Sequence, residues 1–219
     1  KGRQVVVSVS RQINRSKMGE KGFIIGNDSD WNYYYSGEIG SAKAGLGWVE
    51  SYIYDYFSIG VYVESGSAPV MLRTGVFQWI RAGWLGVNFV KPNHIIEGLK
   101  RFARNHKAVL ESSHLPAPTR LITVYRWLTG LPAVDLKQKY ASLQQAQRSQ
   151  VIQMGKLSRT KADEPLAVRN TPKEQMVEEL MLEYIKTALG KPTPVKMNFS
   201  RSSSDPDFLI TSNEAVQKD

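Results

Sequence analysis

The sequence predicts an α+β protein: an N-terminal antiparallel β-sheet, then a region of three to four helices, then an extended C-terminal tail. Three observations carry this. Within residues 1–90 two runs, KGRQVVVSVSRQIN and WVESYIYDYFSIGVYVES, repeat at period two. From residue 91 apolar residues recur every three or four positions, and beyond residue 190 neither period persists while Ser, Asp and Pro accumulate.

The sheet begins in KGRQVVVSVSRQIN, where Val5, Val7 and Val9 alternate with Val6, Ser8 and Ser10. MGEKGF suits a turn into a second short strand, GFIIG, and Gly37, Gly40, Gly45 and Gly47 predict a loop ahead of the next run. That run, WVESYIYDYFSIGVYVES, puts Val49, Ile53, Phe57, Ile59, Val61 and Val63 on one side and Trp48, Tyr52, Tyr54 and Tyr56 on the other. β-Branched and aromatic residues at period two read as strand, with a bend or bulge expected near Gly60 because the run is long.

Helical spacing starts after Lys91-Pro92-Asn93, with Asn93 as the expected N-cap and Ile95, Leu99, Phe102, His106 and Val109 as the apolar stripe. A second helix is expected through Arg120 to Leu128, closed by Gly130, and a third with Leu136, Tyr140, Leu143 and Val151 inward and Gly155 at its end. KLSRTKADEPLAVRN reads as a polar linker, residues 157–170. In residues 171–190 Thr171 is the expected N-cap, with Pro172 at the first helical position, Glu174 completing a capping box, and Gly190 and Pro192 as the stop. Its stripe is Val177, Leu180, Met181, Tyr184 and Ala188; Glu178, Glu179 and Glu183 are expected to form an acidic face. Residues 191–219 have the composition of an extended tail.

Charge makes the middle zone distinctive. The chain carries a net +9 and has no cysteine, so disulfides, thiolate metal sites and cysteine nucleophiles are excluded. Residues 1–90 contribute +2, residues 91–156 contribute +8 and residues 157–219 contribute −1. Such a concentration of cations suits an acidic partner: nucleic acid, another polyanion, or an anionic membrane surface. Lys100, Arg101, Arg104 and Lys107 are the main expected phosphate contacts, with Arg120, Arg126, Lys137, Lys139 and Arg148 in support; a merely solubilising helix face is the simpler account of any one of them. A helix-turn-helix reader is not indicated, because ESSHLPAPT is longer than that motif's turn.

Tyr52, Tyr54 and Tyr56 beside Trp48 would make a stacking platform for single-stranded bases, or simply a sheet face packed beneath the helices. Trp79, Trp84 and Phe89 would serve as anchors at a membrane surface or a neighbouring subunit.

Catalytic patterns are weak. His94, His106 and His114 lack metal-ligand spacing, and Ser112-Ser113-His114 is adjacency rather than a triad. DSDWN, residues 28–32, opens like a calcium loop but has Tyr33 where glycine is needed and Ile39 where the closing glutamate belongs. No phosphate-cradling glycine loop is present, and no cofactor or metal is expected.

The expectation is therefore a non-enzymatic structural component of a larger assembly, attached to nucleic acid by its basic helices. Val177, Leu180, Met181, Tyr184 and Phe208 are expected to dock on protein partners or neighbouring copies in a homo-oligomer. A peripheral membrane protein and an enzyme without a recognisable motif are the alternatives. Neither a signal peptide nor a spanning helix is expected, since Arg73 and Arg81 interrupt the most apolar window.

Overall fold

A computed structural model describes residues 2–18, 20–39, 41–43, 47–66, 71–156 and 171–195, giving the backbone alone for side chains 17–22 and 36–48. The chain is α+β, an antiparallel sheet followed by four helices. It divides into two compact units: residues 1–21 with 36–107, and residues 22–35 with 108–219.

The first unit is built on a long strand. β1 (Val5–Arg11) and β2 (Ser16–Met18) pair along one edge of β7 (Ser51–Ser65), and β8 (Met71–Gly83) pairs along the other, all antiparallel. Between them come β3 (Glu20–Ile24), β4 (Tyr33–Ile39), β5 (Ser41–Lys43) and β6 (Gly47–Val49), with β3 paired to β4 and β5 to β6. Part of the glycine-rich stretch expected as a loop is instead paired strand, with Gly37 in β4 and Gly47 in β6, while Gly40 and Gly45 lie outside the described residues. The pairing runs unbroken through Gly60, matched to Ser8 and Val76; the irregularity falls instead between Ile53 and Asp55.

Register fixes two unlike sheet faces. Val5, Val7 and Val9 lie beside Val63, Val61 and Ile59, which lie beside Arg73, Gly75 and Phe77. The opposite face carries Ser8, Ser10, Tyr56, Ser58, Tyr62 and Gln78, and over it lies α1 (Pro92–Leu110), whose Gly98, Leu99 and Phe102 close a cavity of about 330 Å³ with those side chains. Pro92 opens α1, so Asn93 stands inside the helix rather than capping it. His94 Nδ1 accepts the Lys91 amide at 3.3 Å, the return half of a capping box with an imidazole in the carboxylate's place.

The second unit is helical. α2 (Pro118–Gly130), α3 (Ala133–Gln153) and α4 (Lys173–Ala188) enclose Val124, Leu128, Leu136, Tyr140, Leu143, Leu180 and Val195, all at or below 5% exposure. A smaller cluster joins Ile25 and Tyr34 to Val151. Pro172, in extended conformation, is the α4 N-cap, one residue later than the expected Thr171, so the predicted capping box is out of register. The stop is as expected. Gly190 takes φ +70°, its amide reaches Thr187 O at 3.1 Å, and the Lys191 amide reaches Lys186 O at 2.9 Å, a Schellman closure that glycine alone makes without strain. Pro194 and Val195 are buried, so the segment just after α4 is packed, not extended into solvent; the remainder of the tail lies outside the described residues.

Candidate nucleic-acid interface

α1 sorts its residues by the 3.6-residue turn. Of the expected stripe, Leu99, Phe102 and His106 face the sheet, where Tyr62 meets His106 edge-on at 6.0 Å and Phe102 stacks on the same ring at 5.4 Å. Lys100, Arg101, Arg104 and Lys107 fall in the opposite arc of about 120° over about 10 Å of helix. All four are exposed. Glu97 is the acidic residue within that arc; its carboxylate accepts Lys100 Nζ at 2.9 Å. The hydrogen bond from Lys100, then its charge, and to a smaller degree Arg104, hold the Glu97 carboxyl below the usual glutamate range. Both partners of this pair are more than half exposed, so the link is labile and leaves Lys100 available to a competing anion.

The supporting cations stand in the other unit. Arg126 and Lys137 are exposed, Arg120 is half-buried, and Lys139 lies with its ammonium 5.4 Å from the Trp127 ring centre. Desolvation beside α2 pulls the Lys139 pKa below its ordinary value, with Asp135 opposing. Arg148 is 5% exposed. Its guanidinium lies within the fold of the second unit and cannot reach a phosphate, which corrects its expected role. The nine expected contacts are thus divided: four on one helix of the first unit, four accessible on the second, and one enclosed.

The expected partner-docking stripe is likewise spent inside the molecule. Val177, Leu180 and Tyr184 are buried in the second unit's core and Met181 packs against it, so these side chains stabilise the fold instead of meeting a partner; Phe208 lies outside the described residues. Nor does α4 show an acidic face. Glu178 is exposed, but Glu179 accepts Tyr140 Oη at 3.2 Å and Gln144 Nε2 at 3.1 Å, and Glu183 is 2% exposed.

The tyrosine platform is partly occupied by the chain itself. Arg15 lies 3.5 Å over the Tyr52 ring and 5.4 Å from that of Tyr54, and Tyr54 Oη accepts the Gly86 amide at 2.8 Å. Tyr56 lines the cavity under α1. The Trp48 side chain lies outside the described residues. Of the expected anchors, Trp79 is 54% exposed, whereas Trp84 and Phe89 pack on each other with ring centres 4.5 Å apart.

The cavity under α1 is lined by hydroxyls, an amide and apolar groups, without a carboxylate or imidazole to move a proton. Among the described residues no cluster of three or more His, Asp or Glu could hold a metal, and no helix is long and apolar enough to cross a membrane. Compared with protein-family models, curated proteins and solved structures, the chain matches none.

What the sequence did not show was the exposure of the sheet's more apolar face. Its alternation was legible, but alternation marks a two-faced strand without saying which face the protein covers.

Proposed function

We propose that this protein is a non-enzymatic component of a larger assembly that attaches to nucleic acid through the outer face of α1. The observation that carries the reading is the exposure of Lys100, Arg101, Arg104 and Lys107 on one arc, opposite the stripe that seats the helix on the sheet. A helix so anchored presents its cations without first ordering a loop, and successive ammonium and guanidinium groups neutralise phosphates while releasing condensed counterions. The chemistry is backbone attachment: the basic arc offers phosphate contacts, which carry no sequence information, so binding tolerates sequence. Arg126 and Lys137 are further exposed cations, on the second unit.

A second reading, peripheral attachment to anionic lipid, draws on Trp79, half exposed on an apolar sheet face. Purification without nuclease separates the two. Nucleic acid that co-elutes and is released by moderate salt supports the first; flotation with acidic vesicles that nuclease leaves intact supports the second.

A further inference from the structure

α1 lies over the Ser10, Ser58 and Gln78 part of the more polar face of the first unit's sheet, leaving Val6 and Leu72 exposed beside it, and among the described residues of that unit no helix lies over the more apolar face. On the more apolar face Val5 is 56% exposed, Val7 59%, Val9 61%, Met71 51%, Phe77 56% and Trp79 54%. Phe57, Ile59, Val61 and Val63 run between them on β7, with Trp79 against Phe57 at 5.4 Å. By strand geometry this face measures about 30 Å by about 14 Å, a projected footprint on the order of 400 Å². A contact of that footprint on each partner stands at the small end of specific interfaces. Apolar surface that is contiguous on this scale marks an interaction site.

The distribution of bulk along β8 identifies the occupant. The register places Phe57 beside Trp79, Ile59 beside Phe77, Val61 beside Gly75 and Val63 beside Arg73. One half of the face is therefore aromatic. The other half carries the face's glycine and an arginine. A two-fold axis in the plane of contact, crossing the strands at the level of Gly60 and Val76, exchanges the halves: Phe77 comes over Gly75 of the second copy and Trp79 over its Arg73. Large meets small on both sides at once, as isologous contacts require, and the indole receives a guanidinium on its face. Asp55, paired with Arg81 at 2.6 Å at one end, is carried to the Arg73 end of the second copy. We propose that this face closes on the same face of a second copy of the chain, a sheet-on-sheet homodimer centred on Gly75 and Phe77. Aligned packing of twisted sheets near −30° keeps those central residues in contact. The proposal concerns a surface distinct from the outer arc of α1 and does not depend on what α1 binds.

Gly75→Val is the test, because an added Cβ there finds its nearest neighbour, the tip of Phe77, at an ordinary 3.8 Å within the same chain. Valine also favours a strand. The monomer therefore accepts the substitution while the hollow opposite Phe77 of the second copy is filled. Sedimentation velocity of the full chain over a concentration series is expected to show a wild-type dimer, with Gly75→Val weakening self-association about tenfold or more, the scale of overpacking. Circular dichroism and the melting of the diluted monomer should be unchanged, and a Trp79→Ala chain should also associate more weakly. A wild-type chain that stays monomeric throughout, or floats as a monomer on anionic vesicles through this face, overturns the proposal; so does a Gly75→Val chain that dimerises as the wild type does. Neither result touches nucleic-acid binding, which is read separately by its salt dependence.

Discussion

Lys186 Nζ donates to Glu183 Oε1 inside the second unit, where the lysine side chain is 0% and the glutamate 3% exposed. The same ammonium reaches Asn32 Oδ1, and Asn32 Nδ2 donates to Pro192 O at 2.9 Å, so one buried chain of polar groups ties α4 to residues more than 150 positions earlier. Each ion is expensive to desolvate, and the pair persists because each neutralises the other. Removing one partner strands the second. Lys186→Met or Glu183→Leu alone should cost about 3–5 kcal/mol in chemical denaturation, while the double substitution should recover most of that loss. A double variant as unstable as the sum of the singles would show that the two charges are not coupled.

The pair also predicts a pH response. Burial holds the Lys186 pKa below its ordinary value, with the Glu183 carboxylate opposing, and burial raises the Glu183 pKa, with Lys186 opposing. A lysine depressed in the folded state contributes stability that is present above the ordinary lysine range and lost as pH falls through its folded value. A glutamate raised in the folded state contributes stability that is present below the ordinary glutamate range and lost as pH rises through its folded value. Glu183→Gln removes the opposing carboxylate and deepens the lysine's depression. Its denaturation midpoint should climb from neutral to alkaline pH more steeply than that of the wild type.

Two glycines of the first unit should respond in opposite directions to alanine. A Cβ on Gly83 would stand 2.0 Å from Val87 O and 2.8 Å from the Phe89 ring, and the carbonyl cannot retreat while Phe89 N donates to Ala82 O at 2.9 Å. Gly83→Ala should cost about 2 kcal/mol or more. On α1, a Cβ at Gly98 meets nothing within 4 Å, so Gly98→Ala should stabilise by about 0.5–1 kcal/mol through helix propensity alone. Thermal melts of the two variants test the pair.

Leu180 is fully buried between α4 and its neighbours, at 0% exposure. Leu180→Ala should cost about 2–5 kcal/mol in denaturant, the range for a cavity in a packed core. An effect below ~1 kcal/mol would place Leu180 at a docking surface instead, as its sequence pattern first suggested.

β1, β3 and β7, the helices and the stop signals at Gly155 and Gly190 were legible because each rests on local periodicity or a local backbone need, whereas β8 and the short strands β2, β4, β5 and β6 were not singled out. The inward stripe of Leu136, Tyr140, Leu143 and Val151 follows the same rule. What escaped was set by distant neighbours. Glu183 looked like a surface charge because nothing near it in sequence announces Asn32, and Arg148 looked accessible because it lies at the edge of its helix's stripe. Val177, Leu180 and Tyr184 form one apolar stripe whether it faces a partner or the chain's own α2 and α3. The basic stretch read as continuous, yet the boundary between the units falls at residues 107 and 108, inside it. The polar cover on one sheet face and the bare valines on the other depend on where α1 folds back, which alternation does not encode.

The central claim, that the outer arc of α1 binds a polyanion, is tested most directly by the salt dependence of oligonucleotide affinity. The wild type should be compared with Lys100, Arg101, Arg104 and Lys107 all changed to Ala, and with Arg126 and Lys137 changed to Ala as the control. If the four cations contact phosphates, the first variant flattens the slope of log K against log salt by about 3 and the control flattens it less. A first variant that binds with the wild-type slope and affinity contradicts the account.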